Sequence, residues 1–185
     1  MHEHMAQTIY TLGHSRRTAA ELIAVLKDAG VRRLIDVRAY PHSARQPWFN
    51  GPALRASLER EDIGYEWLGR ELGGLRPEHA ASRHTHLRTG LRSFADYMET
   101  DGFVQGIARL GELATRVASA IMCAEKNPAD CHRSLIADYL ALHDVHVVHL
   151  LEVGQRESHR LHPALRRDGR QLLYDLGAQR DLGLD

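Results

Sequence analysis

The stretch SAIMCAEKNPADCHRSLIADYLALHDVHVVHLLE, residues 119–152, decides the fold because it predicts a strand, a helix and a second strand in succession. Residues 119–125 and 145–152 are apolar runs of the kind found in buried strands of a parallel sheet. Residues 131–144 between them predict a helix. Two strands joined by a crossover helix pair in parallel, so the stretch predicts a parallel α/β sheet.

The rest of the chain repeats this alternation. Further strands are predicted at 8–13, 32–39 and 64–69, and helices at 17–30, at 51–63 and, with a break at Asp101-Gly102, across 91–118. An irregular region fills about 70–90, and residues 169–175 are predicted to add an edge strand. We therefore expect a three-layer α/β/α fold with a mostly parallel sheet of five or six strands. An incomplete (β/α) barrel is the alternative.

Composition narrows the class of protein. A chain of 185 residues with 43% hydrophobic residues suits a single domain with a real core, and a net charge of zero disfavours indiscriminate binding to nucleic acid. Arginine outnumbers lysine by 22 to 2, which reflects either compositional bias or fixed guanidinium forks for anions. No apolar run reaches the length of about 18 residues that a membrane span needs, and no export signal is visible. We expect a cytoplasmic protein with no membrane partner and with reduced thiols.

The chemically versatile residues follow the predicted strands. In a parallel sheet, ligands bind beyond the carboxyl ends of the strands, so these residues are expected to share one rim. The segment LIDVRAYPHSARQPWF, residues 34–49, ends a strand on charged residues and continues as a proline-stiffened, arginine-bearing loop. The other loops that join helices back to strands carry far fewer such residues. The residues expected at the rim are His14, Ser15, Asp36, Arg38, Ser43, Arg45, Gly73, Gly74, Cys123, Glu125, Cys131, His132 and Arg133.

Cys131 is the leading candidate for a catalytic group. It is predicted to lie at a helix N-terminus beside Arg133, where the helix dipole and the guanidinium lower the pKa of a thiol. His14 or His132 is the expected base, and Glu125 and Asp36 are alternative carboxylate groups. Ordinary burial of both cysteines as small apolar residues, and a structural ion pair at Asp36, are the competing interpretations.

No metal or cofactor is expected from the spacing of the ligand-type residues. The chain has thirteen histidines, but Cys123, Cys131 and His132 do not match a zinc-binding pattern because no Cys-x2-Cys pair is present. No dinucleotide fingerprint, Walker loop or nucleophile elbow is present either. A reversible Cys123–Cys131 disulfide remains an alternative, because a short loop would bring the two residues together.

Five blocks of the sequence together resemble a known family. YTLGHSRRT, LIDVRAYPHSARQPWFN, YEWLGRELGG, FADYMET and IMCAEKNPADCHRSLIADYL are similar, in this order, to the signature blocks of the family called domain of unknown function 488. The resemblance covers about residues 8–152, leaves 153–185 as an extension of a single domain over 1–185, and implies an α/β fold without a settled activity. The same rim residues fall within these blocks. LIDVR also faintly resembles rhodanese-type sulfurtransferases.

Three functions compete at this point. The first is a thiol- or carboxylate-dependent hydrolase or transferase, in which Arg38, Arg45 and Arg133 clamp a small anionic or nucleotide-like substrate. The second is a nucleic-acid-binding or repair factor, whose arginine-rich loop at 70–92 grips phosphates while Trp48 or Phe49 stacks on a base. The third is a redox-responsive binding module that uses the cysteine pair without catalysis. The sequence leaves the substrate and the oligomeric state open.

Overall fold

A six-stranded sheet forms the centre of the computed structural model, which describes residues 7–175. The strands are β1 (Thr8–Gly13), β2 (Arg33–Asp36), β3 (Gly64–Trp67), β4 (Ser119–Cys123), β5 (His146–Glu152) and β6 (Gln155–Ser158). They lie in the order β3-β2-β4-β1-β5-β6; the first five are mutually parallel, and β6 is antiparallel at the edge. The expected number of strands and their parallel pairing are confirmed.

Helices cover both faces of the sheet. They are α1 (Ala19–Asp28), α2 (Gly51–Glu59), α3 (Gly69–Leu72), α4 (Thr89–Tyr97), α5 (Asp101–Arg116) and α6 (Arg133–Ala141). Sequence signals mark several starts: Thr18 and Glu21 form a capping box at α1, Pro52 occupies the first turn of α2, and the Thr100 side chain caps α5. These three helices therefore begin where local chemistry suits the unpaired N–H groups of a first turn.

The core is divided by the sheet into two apolar layers. One contains Leu22 of α1 and Leu54 of α2, and the other contains Phe94 of α4, Leu110 of α5 and Leu135 of α6. Neighbouring strand residues alternate between the layers, so that Leu34 belongs to the first and Ile35 to the second. This alternation explains the continuously apolar strands and confirms the three-layer α/β/α fold.

The strand order creates a crevice at one edge of the sheet. The chain leaves β1 for α1 on one face, and it leaves the neighbouring strand β4 for α6 on the other face. Loops that diverge to opposite faces from adjacent parallel strands leave an opening beyond their carboxyl ends. This opening is lined by Cys123 at the end of β4 and by His14, which follows Gly13, the partner of Cys123 in the register of β1 and β4.

The prediction of an edge strand at 169–175 was wrong for the main sheet. Residues Gln171–Tyr174 form β8, which pairs with β7 (Leu165–Asp168) in a separate two-stranded sheet. The turn at Gly169, with a φ of 60°, closes this hairpin, and the backbone N–H of His86 donates to the Tyr174 carbonyl oxygen. The edge position is taken by β6, which follows β5 directly. Residues 176–185 of the predicted extension lie outside the described residues.

No helix within residues 7–175 has the length and apolar character needed to cross a membrane.

Candidate functional site

A cavity of about 480 Å³ opens at the carboxyl ends of β1, β2 and β4. Loops from all three strands and the segment that joins α3 to α4 contribute its walls. The lining residues are His14, Arg38, Ala39, Tyr40, His42, Ser43, Gly74, Leu75, Arg88, Gly90, Leu91, Cys123, Ala124, Glu125, Asp130, Cys131 and His132. The cavity, named here the rim pocket, occupies the crevice that the strand order creates.

Two cysteines and a histidine form the floor of the rim pocket. Cys123 ends β4, and the chain then turns through a short 3₁₀ helix at Pro128–Asp130, where the Asn127 side chain accepts a hydrogen bond from the backbone of Ala129. This turn returns the chain to the sheet at Cys131, immediately before α6. The two sulfur atoms and one ring nitrogen of His132 all lie within 4.8 Å of one another, and all three residues are buried.

The ring of His132 is held in one orientation. Its Nε2 atom lies 3.1 Å from the carbonyl oxygen of Val37, so Nε2 carries the proton that is donated to this oxygen. Nδ1 faces the sulfur atoms, at 3.7 Å from that of Cys131 and 3.8 Å from that of Cys123. Gly74 packs against the ring so closely that a Cβ atom there would lie 2.5 Å from Nδ1. A glycine is therefore required at position 74 for this ring to stay in place.

The two thiols differ in their electrostatic environment. A hydrogen bond from Cys131 and the neighbouring His132 lower the pKa of Cys123 well below its ordinary value, although burial opposes this change. Burial and the interaction with Cys123 raise the pKa of Cys131. The expectation of a lowered pKa at Cys131 was therefore wrong, because the thiol that donates the shared hydrogen bond is the one that keeps its proton.

Arg38 is fixed in the wall of the rim pocket by a buried carboxylate. Its Nη2 atom donates to Asp36 Oδ2 at 2.6 Å and to the Phe49 carbonyl at 2.8 Å, and its Nε donates to Asp36 Oδ1 at 2.9 Å. Tyr65 also donates to Asp36, at 2.8 Å. Only Nη1 of Arg38 remains largely free, at 3.5 Å from Nε2 of His14. Asp36 thus acts behind the pocket, holding the guanidinium in one direction.

His14 forms the wall of the rim pocket beside Arg38. The ring stacks on Phe49, with centroids 4.4 Å apart, and its Nδ1 lies 3.2 Å from the Ser15 carbonyl oxygen. Burial and the charge of Arg38 lower the pKa of His14. Phe49 is fully buried here, so it seats the loop instead of presenting a face to a base.

The loop between β2 and α2 is ordered by its own polar contacts. The Asn50 side chain accepts from the backbone of Ser43, and the Ser43 hydroxyl accepts from the backbone of Gln46. Trp48 donates to the Arg17 carbonyl oxygen at 3.1 Å. These contacts hold Ser43 in the pocket lining.

Eight of the predicted rim residues come together around the rim pocket: His14, Arg38, Ser43, Gly74, Cys123, Glu125, Cys131 and His132. The predicted clamp of three arginines does not form. Arg45 is exposed in its loop and is not part of the lining, while Arg133 is buried and donates to the carbonyl oxygens of Glu125 and Lys126. The reason is that the turn before α6 leaves inward-pointing carbonyl groups that need a donor.

The other predicted residues have structural positions. Asp36 lies behind Arg38, and Gly73 is buried with its Cα so close to Ala39 that a Cβ atom would overlap with it. Ser15 adopts a φ of 46° and lines a separate cavity of about 320 Å³ beside Arg17.

Sequence reasoning missed several residues of the rim pocket. Arg88 and Asp130 face each other across its mouth, with Arg88 Nη1 3.7 Å from Asp130 Oδ1. His42, Tyr40 and Leu75 add to the lining. Arg88 directly precedes α4, and a cationic residue at the end of a long loop was a usable signal.

The arginines of the long loop are mostly engaged within the protein. Arg76 donates to the carbonyl oxygens of Gly73 and Arg70 and lies 3.5 Å over the ring of Tyr97. Arg83 pairs with Glu99 at 3.4 Å. These contacts fix the loop against α4 and the segment that follows it, so Arg76 and Arg83 are not available as free phosphate contacts.

A family model described as Domain of unknown function DUF488 matches residues 18–140, about two thirds of the chain. The matched segment contains Arg38 and the whole cysteine–histidine floor, whereas His14 precedes it. No curated protein and no solved structure matches the chain.

Proposed function

The chain belongs to the DUF488 family, and we propose that the rim pocket of this fold is the active site of a hydrolase or transferase acting on a small anionic, nucleotide-like substrate. The observation that carries the proposal is the convergence of Arg38, His14, Glu125 and the cysteine–histidine floor on one cavity from three strands. A volume of about 480 Å³ suits a ligand of nucleotide size. Dense grouping of such side chains at a switch point of a parallel sheet is typical of catalytic sites.

Arg38 is the group we assign to anion recognition. Its guanidinium is held by Asp36 through three donor–acceptor contacts, so little rotamer freedom is lost when the remaining Nη1 donates to a ligand. The pair also keeps its charge inside the pocket wall, because hydrogen bonding to Asp36 raises the pKa of Arg38 against the effect of burial. Arg88 adds a second, exposed cation at the mouth.

His14, Glu125 and the floor are the groups we assign to the reaction. His14 lies 3.5 Å from Arg38 Nη1, so an anion bound there also meets the imidazole. Glu125 presents an exposed carboxylate to the same cavity and suits proton transfer to a leaving group. The sulfur atoms of the floor supply either a nucleophile or metal ligands, and both serve hydrolysis or group transfer.

A nucleic-acid partner is the weaker alternative. The net charge is zero, and Arg76 and Arg83 of the long loop are bound to protein atoms. Trp48 is held by the Arg17 carbonyl oxygen, and Phe49 is buried. We therefore propose a small ligand as the substrate.

Ligand binding to the purified protein tests this proposal. Inorganic phosphate, ribose 5-phosphate and AMP are titrated by calorimetry into wild type and into Arg88→Ala, His14→Asn, Arg45→Ala and Arg109→Ala. We expect a phosphate-bearing compound to bind, with affinity about tenfold lower in Arg88→Ala and in His14→Asn, since each loses one polar contact worth about 1.4 kcal/mol. Arg109 lies on α5 outside the pocket lining, and Arg45 lies in the loop outside it, so both variants are expected to bind like wild type. Absence of binding by any of the three compounds, or equal losses in Arg88→Ala and Arg109→Ala, would refute the proposal.

A further inference from the structure

The floor of the rim pocket has the donor set of a metal centre. We propose that Cys123, Cys131 and His132 bind one zinc-type divalent ion through two thiolates and one imidazole, with the fourth coordination position open to the rim pocket. The spacing of Cys123 and Cys131 in the sequence gave no sign of this site. The geometry provides it because a strand end and a helix start are brought to the same edge of the sheet.

The separations between the sulfur atoms and His132 Nδ1 fit tetrahedral coordination. Zinc binds sulfur at about 2.3 Å and imidazole nitrogen at about 2.1 Å, and these bond lengths place sulfur and nitrogen about 3.6 Å apart across a tetrahedral angle. The observed separations from His132 Nδ1 are 3.7 Å to Cys131 Sγ and 3.8 Å to Cys123 Sγ. The two sulfur atoms lie within 4.8 Å of each other, and an ion bound between them would bring them to about 3.8 Å.

The imidazole is oriented as a ligand should be. Metal-binding histidines donate the proton of the second ring nitrogen to a carbonyl or carboxylate, which fixes the tautomer and the direction of the first nitrogen. His132 makes this contact from Nε2 to the Val37 carbonyl oxygen at 3.1 Å. Gly74 on one side and the ring of Phe94, at 4.9 Å between centroids, on another leave the ring little freedom. Nδ1 therefore points at the sulfur atoms before any ion arrives.

Charge balance also favours an ion at this place. Cys123 and Cys131 belong to the apolar layer that contains Phe94 and Leu135, where two unpaired thiolates are costly. A dication cancels both charges. The complete centre is then neutral.

The open position connects the centre to the rest of the pocket. Within residues 7–175, no further histidine or carboxylate lies close enough to Cys123, Cys131 and His132 to act as a fourth ligand. All three ligands line the rim pocket. Three protein ligands and one exchangeable position characterise catalytic zinc, and a soft set of two thiolates and one imidazole selects zinc over magnesium or calcium. The inference rests on the proposed function only for the use of this fourth position, which would be filled by water or by an oxygen of the anionic substrate.

Metal binding is measured on full-length, reduced protein without any substrate, so its outcome is independent of the anion titrations. The chelator-treated protein is titrated with Co²⁺ and then Zn²⁺, and the sulfur-to-cobalt charge-transfer absorption is recorded. We expect one ion per chain, a tetrahedral cobalt spectrum and displacement by zinc. Cys123→Ser, Cys131→Ser and His132→Asn are expected to bind roughly 100-fold more weakly or worse, whereas His79→Ala, which alters an exposed histidine, keeps wild-type affinity.

A second kind of variant protects the test against simple unfolding. Gly74→Ala keeps all three ligands but places a Cβ atom 2.5 Å from His132 Nδ1, so we expect roughly tenfold weaker binding or worse, with circular dichroism unchanged. Folded wild type that binds no cobalt or zinc overturns the proposal. So does an undiminished affinity in Cys123→Ser, or a cobalt spectrum without the sulfur band.

Discussion

Arg38 and Asp36, two residues apart at the end of β2, form a buried ion pair with 2.6 Å between Arg38 Nη2 and Asp36 Oδ2. Neither side chain is more than 6% exposed. The backbone N–H of Arg38 also donates to Asp36 Oδ1, at 3.0 Å, so the carboxylate organises the first turn of the loop as well as the guanidinium. This arrangement links the end of a strand to the orientation of the group that faces the ligand.

Removing one partner of this ion pair is expected to lower the free energy of unfolding more than removing both charges together. Arg38→Met leaves the Asp36 carboxylate buried with only Tyr65 and backbone as partners, and we expect a loss of about 3–5 kcal/mol in the free energy of unfolding. The double variant Asp36→Asn, Arg38→Met should lose less than Arg38→Met alone, by about 1 kcal/mol or more. Urea denaturation of the full double-mutant cycle measures both values, and strict additivity of the two single effects would contradict the expected coupling.

Gly13 is expected to tolerate no side chain. A Cβ atom at this position would lie 1.7 Å from the carbonyl oxygen of Glu125, so Gly13→Ala must push β1 away from the loop after β4. We expect destabilisation of about 3 kcal/mol by chemical denaturation.

Gly111→Ala is the matched control for this substitution. Gly111 lies in α5 with nothing within 4 Å of its added Cβ, so the change should raise stability by about 0.5–1 kcal/mol. Similar changes in stability for Gly13→Ala and Gly111→Ala would show that the close approach of β1 to the loop after β4 does not exclude a side chain at position 13.

The Arg133 guanidinium is expected to hold the loop of the floor in place. It is 1% exposed and donates to the carbonyl oxygens of Glu125 at 2.5 Å and Lys126 at 2.8 Å. Arg133→Lys removes the fork that reaches both oxygens, and we expect a loss of about 2 kcal/mol in the free energy of unfolding together with faster amide exchange over 124–130. Arg109→Ala, which removes an exposed pair with Glu112, should change stability by less than about 0.5 kcal/mol. An effect of that small size at Arg133 would argue against the bracing role.

His149 is expected to make stability fall in mildly acidic solution. Burial, then the charges of His159 and Arg133, lower its pKa from 6.5 to about 4. Its ring bonds Thr11 Oγ1 at 2.7 Å and His159 Nδ1 at 2.9 Å. Between pH 6.5 and about 4, His149 is protonated in the unfolded chain but not in the folded chain. The stability that the neutral ring contributes is therefore complete above pH 6.5 and is lost as the pH falls from 6.5 to about 4.

Denaturation midpoints across this range check the effect. His149→Gln should show a shallower loss of stability between pH 6.5 and about 4 than wild type, since the titrating group is gone. His146→Gln, an exposed position on the same strand, should follow the wild-type profile. A His149→Gln profile that is as steep as the wild-type profile would assign the acid sensitivity to other residues.

The sequence by itself determined the layers, the direction of the strands and the edge at which the polar residues gather. Apolar runs such as 119–123 and helical spacing such as that of 133–141 are local patterns, and a crossover between parallel strands allows essentially one handedness. The strand at 171–174 was recognised, but its partner was not, because the sequence pattern of one strand does not say which other strand it pairs with.

Only the tertiary structure decided which rim residues meet and what each one faces. Arg45 and Arg133 looked equivalent to Arg38 in the sequence. In the structure, Arg45 is exposed to solvent, whereas Arg133 donates its hydrogen bonds to backbone carbonyl groups. Cys123 and Cys131 became neighbours of the same imidazole nitrogen because the turn at 127–130 folds back on the sheet. Sequence patterns report the burial and period of single elements, whereas a distance between side chains on different elements is fixed by packing.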